Sequence, residues 1–292
     1  MCGSPRPKGK FKLYAVEGGT AAMCYIFKSM KTNRLLNAGD TIALGTPIFT
    51  PYLEMPHLED YDLKIVNIQA TQENRWQFDD AELDKLLDPK IKAFFLVNPG
   101  NPSAVALSAK TIAKIGAIIK KRPDLILLTD DVYGTFVPGF RSLLGAYPYN
   151  TIGVYSYSKY FGCTGWRLGV IAVHEDNLFD KLIAQHPEPV LKKIDKRYSA
   201  LTLEPRKMRF IDRIVADSRD VALNHTAGLS LPQQVMMLLF SAYELMDTKK
   251  HYQKACMGIV KKRVEATLEG LGLDVPPNEL HDNYYGLIDL EF

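Results

Sequence analysis

Short apolar runs recur between residues 40 and 175 and alternate with segments whose apolar residues return every three or four positions. A continuous run of about four to eight apolar residues is typical of a strand that is buried on both faces. The pattern predicts six strands, at 41–46, 63–68, 92–97, 125–130, 152–158 and 167–173. Because strands that alternate with helices usually pair in parallel, the sequence predicts an α/β fold with a mostly parallel sheet.

Helices are predicted in the intervening segments, at 79–88 and 108–123. In the second of these, Ser108 fits an N-cap and a proline follows the basic last turn, which are common start and stop signals of a helix. A further helix is predicted within 17–30, where two glycines and a threonine precede a stretch with apolar residues on one face.

The second half of the chain has a different character. Residues 180–220 are rich in charge and predict helices broken at Pro205, and residues 232–270 predict one long helical stretch. The chain then reaches "YYGLIDLEF" (284–292), which predicts one strand of a further module. Because a lone strand does not fold by itself, we expect this sequence to be part of a longer chain.

Composition narrows the function classes. With 292 residues, 47% of them hydrophobic, the chain can bury a sizeable core, and its formal charge of +3 is too small to indicate a nucleic-acid partner. The four cysteines are widely spaced and match no metal-ligand pattern, and no segment has the pattern of a secretory signal or a membrane span. These features predict a cytoplasmic protein without metal, nucleic-acid or membrane partners.

Two candidate binding segments lie beside the predicted helices and strands. Gly18, Gly19 and Thr20 open a helix, where free backbone N–H groups suit a phosphate; the alternative is an ordinary N-cap by Thr20. The segment "NPGNPS" (98–103) follows a predicted strand. Its Asn–Pro pairs either aim amides such as Asn101 out of the sheet edge or form a plain turn.

Two further candidates carry charge. Asp130 ends a strongly apolar strand, a costly place for a carboxylate unless a cation pairs with it or it caps a helix, and Tyr133 follows closely. In "YSYSKYFGCTGWRLGV", Ser156, Lys159 and Arg167 lie where one predicted strand ends and the next begins. A lysine among apolar and cationic neighbours loses proton affinity and becomes a nucleophile toward carbonyls, although most loop lysines are plain surface residues. Arg167 would add a fixed anion contact.

Together these residues fit one kind of ligand. A phosphate fits the glycine-rich helix start together with Ser156 and Arg167. The Asp130 carboxylate suits a ring cation, the Asn101 amide suits a ring hydroxyl, and the Lys159 amine suits an aldehyde. These are the groups of pyridoxal 5′-phosphate, whose protonated pyridine ring acts as an electron sink. The residues therefore predict a site for that cofactor.

The same segments resemble the motifs of the fold-type I, class I/II aminotransferases. "SYSKYFGCTGWRLG" is similar to the family signature S-x-S-K followed by G-x-R-x-G, and "NPGNPS" is similar to the family's Asn-Pro turn. "DDVYGTF" matches its D-x-x-Y motif, and "GGT" matches its phosphate loop. The agreement in order and spacing extends from about residue 12 to residue 175.

The resemblance implies a role for each matching residue. Lys159 would bond covalently to the cofactor aldehyde, and Asp130 would contact the pyridine nitrogen. Asn101 and Tyr133 would contact the phenolic oxygen, so that Lys159, Asp130 and Tyr133 are the implied catalytic residues. The residues implied to hold the phosphate or to stack on the ring are Gly18, Gly19, Thr20, Ser156, Arg167 and Phe49.

A closer resemblance is to the aspartate 4-decarboxylase branch of this family, in "LYAVEGGTAAMCYIF" and in the charged insertion through "LTLEPRKMRFIDRIVADSRDVALNHTAGLSLPQQV". It implies β-decarboxylation of L-aspartate to L-alanine and CO2, with an aspartate aminotransferase side activity, in a homodimer or larger homo-oligomer. The alternatives are another class I/II aminotransferase with a different amino-acid preference, or a cofactor-binding remnant without activity.

The resemblance also implies an architecture, the family's large domain with a seven-stranded, mostly parallel sheet sandwiched by helices. Residues 1–11 are expected to be an N-terminal remnant, and 12–240 the cofactor-binding domain with a helical insertion at about 180–228. Residues 241–292 are expected to form the interdomain helix and the start of an incomplete small domain. The sequence is thus expected to be shortened at both ends, and the family's arginine for the substrate α-carboxylate would lie beyond it.

Overall fold

A seven-stranded sheet forms the centre of the molecule. A computed structural model describes residues 1, 3, 7–58, 61–221, 229–273 and 278–288. The strands are β1 (Phe11–Val16), β2 (Thr41–Thr46), β3 (Lys64–Gln69), β4 (Ile91–Val97), β5 (Ile126–Asp130), β6 (Thr151–Ser156) and β7 (Gly169–His174). Each of the six predicted strands is present, with its ends within two residues of the prediction.

The strand order is β1-β7-β6-β5-β4-β2-β3. The neighbours from β6 to β3 pair in parallel, and β7 runs antiparallel to both β6 and β1. The mostly parallel sheet is therefore confirmed, with one reversed strand. Strand β1 was not predicted; it lies at the sheet edge and is partly exposed, and Leu13, for example, is 64% exposed.

Ten α-helices are present in the described ranges. They are α1 (Gly19–Thr32), α2 (Thr50–Glu54), α3 (Asp80–Asp84), α4 (Ala109–Lys121), α5 (Leu143–Ala146), α6 (Leu178–Ala184), α7 (Glu188–Tyr198), α8 (Phe210–Val221), α9 (Leu231–Met246) and α10 (His251–Gly270). The helix predicted at 108–123 is α4, and the Ser108 hydroxyl accepts a hydrogen bond from the Thr111 N–H, as an N-cap does. The helix predicted at 79–88 is α3 followed by a 3-10 turn.

Side chains that alternate along the central strands enter two apolar cores, one on each face of the sheet. On one face Phe95 belongs to the same core as Ile26 of α1. On the other face Phe94 belongs to the same core as Ile115 of α4. Helices thus cover both faces, and the predicted sheet between helical layers is confirmed.

The charged region that follows β7 is helical, as predicted, but it is interrupted at two prolines. The first is Pro187, which precedes α7, and the second is Pro205, which begins a 3-10 turn before α8. Of the insertion predicted at about 180–228, residues 222–228 lie outside the described part of the chain.

The helical stretch predicted at 232–270 is present as two helices, because the chain turns between α9 and α10. Helix α9 ends at Met246, and Lys250, the N-cap residue of α10, has a left-handed backbone with φ 56° that interrupts the helical course. The Asp247 carboxylate accepts hydrogen bonds from the N–H groups of His251 and Tyr252 and so caps the start of the new helix.

The prediction of a strand at 284–292 is wrong for 284–288, the part that the structure describes. Instead of pairing with a strand, Tyr284 and Tyr285 place their rings against Tyr133, with both pairs of ring centroids 5.3 Å apart. Packing of two large aromatic rings stabilises this irregular backbone.

A buried carboxylate fastens α8 to α1. The Asp217 side chain of α8 is fully buried and accepts hydrogen bonds from the hydroxyls of Ser29 and Tyr198, both at 2.7 Å. Its second oxygen accepts from Arg197 Nε at 2.9 Å. Because α1 begins at the Gly18–Thr20 segment, this contact supports the position of that segment from behind.

We expect Asp217→Ala to lower the free energy of unfolding by about 3–5 kcal/mol, because it leaves Arg197 and two hydroxyls without their buried acceptor. The matched control is Asp220→Ala, which removes the other carboxylate on Arg197, one that is 45% exposed. It should cost less than about 1 kcal/mol. Urea unfolding measures both, and equal losses would contradict the role given to Asp217.

Candidate active site

A cavity of about 170 Å³ lies where the carboxyl ends of β4, β5 and β6 meet. Ligands of α/β proteins bind at this edge of the sheet. The reversed direction of β7 brings its amino end to the same edge, where Gly169 lies opposite both Ser156 and Val16. The segments that follow β1 and β6 and the one that precedes β7 therefore meet at one place.

The Gly18–Thr20 segment forms one wall. Helix α1 begins at Gly19, its N-cap is Gly18 with φ 88°, and no side chain caps it. The alternative of an N-cap by Thr20 is thus wrong, since Thr20 already lies inside the helix. An uncapped helix start presents free N–H groups and the positive end of the helix dipole, as a phosphate site requires.

The Arg167 guanidinium lies directly over this segment. It donates to the Glu17 carbonyl at 3.2 Å and to the Thr164 carbonyl at 2.7 Å. A Cβ on Gly18 would lie 2.3 Å from Arg167 Nη2, and a Cβ on Gly169 would lie 2.7 Å from the Gly18 Cα. Only glycine allows these approaches. Arg167 itself has φ 54°, an unfavourable conformation of a kind often found at functional sites.

The Asp130 carboxylate lies at the floor of the cavity and is 5% exposed. The Tyr52 hydroxyl donates to its Oδ2 at 2.8 Å, and the Val132 N–H donates to its Oδ1 at 3.2 Å. Burial raises the pKa of Asp130 from 3.8 to about 6, although these hydrogen bonds and the charge of Lys159 oppose the shift. No ion pair joins this carboxylate to any cation among the described residues.

The neighbouring carboxylate, Asp131, does not reach the cavity. Consecutive side chains of an extended chain point to opposite sides, and Asp131 instead accepts hydrogen bonds from the hydroxyls of Thr129 and Ser142. Burial raises the pKa of Asp131 to about 7. Asp130 is thus the member of the pair that is available to a ligand.

Lys159 lies just beyond the end of β6 and is half-buried at the cavity wall. Its amine makes no hydrogen bond or ion pair within the described ranges, and its Nζ lies 5.8 Å from the centre of the Tyr284 ring. The nearby Ser156 hydroxyl donates toward Ser158 Oγ at 2.9 Å and the Leu168 carbonyl at 3.2 Å. A surface lysine would point to solvent, whereas this amine faces the cavity.

Asn101 and Tyr133 meet at the wall of the cavity. The Asn101 amide donates to the Tyr133 hydroxyl at 3.3 Å, and that hydroxyl also lies 2.8 Å from the hydroxyl of Tyr285. Burial raises the pKa of Tyr133 well above its usual value. Tyr133 therefore keeps its proton and can donate it to a ligand oxygen.

Nine of the ten predicted site residues line the cavity, and Gly18 lies behind it, under Arg167. Phe49 is at the mouth, 37% exposed, with its ring 5.2 Å from that of Tyr52. The lining residues that were not predicted as site residues are Tyr52, Val97, Val132, Ser158, Thr164 and Tyr285.

Some of these missed residues had a signal in the sequence. Tyr52 lies three residues after Phe49, the spacing of neighbours on one helical face, and Ser158 belongs to the lysine segment itself. Tyr285 had none, because it is 152 residues from Tyr133 in the sequence.

Comparison with solved structures shows the fold. The structure is similar to the aspartate aminotransferase of Rhizobium meliloti, with a TM-score of 0.63 and 20% identity over 89% of this chain and 54% of that one. It is also similar to the N-succinyldiaminopimelate aminotransferase of Mycobacterium tuberculosis, with a TM-score of 0.63 and 20% identity over 89% of this chain and 57% of that one. These likenesses show the fold.

Sequence comparison identifies the family. The family model for aminotransferase class I and II matches residues 16–203. The whole chain is 53% identical to the bifunctional aspartate aminotransferase and L-aspartate beta-decarboxylase of a Pseudomonas species, of which it covers 55%. The aspartate aminotransferase of Pyrococcus abyssi is 32% identical over 49% of this chain and 37% of that protein. The chain belongs to the class I and II aminotransferases, a family that depends on pyridoxal 5′-phosphate. It spans about half the length of the Pseudomonas relative.

Across the described residues, no helix is both long and apolar enough to cross a membrane. No group of three or more histidine, cysteine, aspartate or glutamate side chains in these ranges is arranged to hold a metal ion.

The burial of Asp130 predicts a pH-dependent stability of the cofactor-free protein. An unfolded aspartate loses its proton near pH 4 and the folded one near pH 6, so the folded state holds the extra proton between these values. Its contribution to stability is therefore complete below about pH 4 and is lost as pH rises through 6. We expect the free energy of unfolding to fall over this range by about 3 kcal/mol relative to Asp130→Asn, which cannot ionise.

Urea unfolding at several pH values tests this expectation, because all other titrating groups are common to both proteins. Asp131→Asn is the matched comparison, since the corresponding fall should extend to about pH 7. A difference between wild type and Asp130→Asn that does not change from pH 4 to pH 6.5 would show that Asp130 is not the group responsible.

Proposed function

We propose that the cavity binds pyridoxal 5′-phosphate and that Lys159 forms the covalent bond to its aldehyde. The residues present fit the group. The half-buried Lys159 amine has no hydrogen-bonding partner in the described part of the chain, and the buried Asp130 carboxylate forms no ion pair with any described residue. The helix start beneath Arg167 is uncapped and is kept open by glycine. Each feature costs stability without a ligand, and each is complementary to a different part of this cofactor.

Each group of lining residues would bind a different part of the cofactor. Asp130 would hold a proton on the ring nitrogen, and Asn101 and Tyr133 would donate hydrogen bonds to the phenolic oxygen. The phosphate would be held by Gly18, Gly19, Thr20, Ser156 and Arg167, and Phe49 would lie against the ring. The charges support this division, because Lys159 and Arg167 give the wall that faces the phosphate a positive potential.

Bound pyridoxal phosphate supplies an electron sink that stabilises negative charge at the α-carbon of an amino acid. When its amine is not bonded to the cofactor, Lys159 would act as a general base and remove the proton from the substrate α-carbon. Asp130 keeps the ring nitrogen protonated throughout, and Tyr133 orients the ring through its oxygen.

For the substrate we propose L-aspartate, with β-decarboxylation to L-alanine and CO2 and an aspartate aminotransferase side activity. The observation that carries this assignment is the 53% identity to the Pseudomonas bifunctional enzyme along the entire chain, including the charged insertion. The lower-identity relatives match about half of the chain.

The same proposal extends to organisation and assembly. Residues 12–240 would form the cofactor-binding domain, with the helical insertion at about 180–228, and residues 1–11 would belong to an N-terminal segment. Residues 241–292 would form the interdomain helix and the start of the small domain. We further propose a cytoplasmic homodimer or larger homo-oligomer, without nucleic-acid or membrane partners.

Lys159→Ala is expected to abolish the covalent adduct. Wild-type protein mixed with pyridoxal phosphate and reduced with borohydride should carry the cofactor on the peptide that contains Lys159, as measured by mass spectrometry. The control, Lys110→Ala, removes a lysine exposed on α4 and should leave the adduct unchanged. An adduct that persists at full yield in Lys159→Ala would contradict the assignment.

Product analysis tests the substrate. With L-aspartate, we expect alanine and CO2 in equal amounts, with a minor yield of oxaloacetate when an acceptor keto acid is present. Oxaloacetate without alanine would instead support an aminotransferase of the ordinary kind. A visible absorption band of bound cofactor that does not change on addition of aspartate would support a cofactor-binding protein without this activity.

A further inference from the structure

Residues 278–288, here called the C-terminal segment, run along the loop that follows β4. The Ala106 N–H donates to the Leu280 carbonyl, and the Asp282 N–H donates to the Ala104 carbonyl, both at 2.8 Å. These bonds surround an antiparallel bridge between Val105 and His281. The segment is thereby fixed beside Asn101, at the edge of the cavity.

Asp282 fixes the turn that follows. Its side chain is fully buried, and its Oδ1 accepts a hydrogen bond from the Tyr284 N–H at 2.7 Å. This local bond holds the backbone in a tight turn, and the side chains of Tyr284 and Tyr285 both pack against Tyr133. The two tyrosines of this turn differ in what their hydroxyls do.

Tyr285 reaches the cavity, and its hydroxyl lies 2.8 Å from that of Tyr133. Tyr284 packs its ring on Tyr133 and lies 5.2 Å from the ring of Phe136, but its hydroxyl has no hydrogen-bond partner in the described part of the chain. The two neighbours therefore make similar ring contacts with Tyr133, and the Tyr284 ring also lies 5.8 Å from Lys159 Nζ, a contact that Tyr284→Phe retains. Of the two hydroxyls, only that of Tyr285 contacts the site.

The Tyr133 hydroxyl has one proton to donate and can accept hydrogen bonds at its oxygen. The Asn101 amide already donates to that oxygen. If Tyr285 also donates to it, the Tyr133 proton is left for an acceptor in the cavity, and two donated bonds make that proton a stronger donor. The opposite direction would use the Tyr133 proton on Tyr285 and leave the ligand oxygen without it.

We propose that Tyr285 is a positioning residue of the cofactor site, whose hydroxyl donates to Tyr133 and directs the Tyr133 proton at the phenolic oxygen of the bound cofactor. This inference rests on the proposed function, because it requires pyridoxal phosphate in the cavity. The C-terminal segment thereby influences the charge on the phenolic oxygen of the cofactor. The motifs around Lys159, Asp130 and Asn101 do not include this segment.

The test is a pH titration of the visible chromophore that pyridoxal phosphate forms with Lys159. The phenolic oxygen shares a proton with the Lys159 nitrogen that is bonded to the cofactor. A hydrogen-bond donor that stabilises negative charge on this oxygen makes that proton easier to lose. Tyr285→Phe should therefore raise the apparent pKa of the chromophore by about 0.5 to 1 pH unit, the effect of weakening one hydrogen bond. Tyr284→Phe is the matched control and should titrate like the wild type.

A double-mutant cycle shows whether Tyr285 acts through Tyr133. In a Tyr133→Phe background, Tyr285→Phe should produce no further shift, because the hydroxyl on which it acts is gone. The same full shift in both backgrounds would overturn the inference, and so would equal titrations of Tyr285→Phe and Tyr284→Phe. A wild-type protein that forms no chromophore would instead overturn the proposed cofactor site, so the two failures are distinguishable.

Discussion

The burial of the Asp130 carboxylate at the end of β5 is the constraint on which the site depends. A buried carboxylate without a cation is destabilising by several kcal/mol, and here the Tyr52 hydroxyl and the Val132 N–H offset only part of that cost. The remainder is visible in the raised pKa of this group. A ligand that brings a cation to Asp130 would recover the lost energy as affinity. The fold therefore holds this carboxylate in a state that a protonated ring nitrogen would stabilise.

The reversed strand β7 accounts for the rest of the arrangement. Six of the seven strands run in the same direction with their carboxyl ends at the cavity side, and a seventh strand in that direction would place its amino end far away. Because β7 runs the other way, the segment before it lies at the same edge and places Arg167 over Gly18. Close contact of Gly169 with Gly18 is possible since neither residue has a Cβ. The positive wall of the cavity is thus a consequence of strand direction and of two glycines.

The C-terminal segment connects this edge to a distant part of the chain. Its hydrogen bonds with the loop after β4 bring Tyr285 to Tyr133, so residues outside the sheet complete one wall of the cavity. The chain spans about half the length of its 53% identical relative. The cavity is lined by the last residues of β4, β5 and β6 and by the loops and helix starts that lie beside them, together with Tyr285. This is why the cofactor side of the site can be derived from the described residues, whereas the substrate assignment depends on the likeness to that relative.

Local sequence determined most of the sheet and most of the cavity. The central strands β2, β4, β5, β6 and β7 were predictable because burial on both faces requires continuous apolar runs, and Lys159, Asp130, Asn101 and the Gly18–Thr20 segment were predictable because each lies next to a strand or helix end. Of the two edge strands, β3 was predicted and the partly exposed β1 was not. Tertiary structure alone decided that the hydroxyl of Tyr52 meets Asp130, 78 residues away, and that Tyr285 meets Tyr133. Contacts between residues so distant in sequence leave no periodic pattern, because they depend on how the completed sheet brings its loops together.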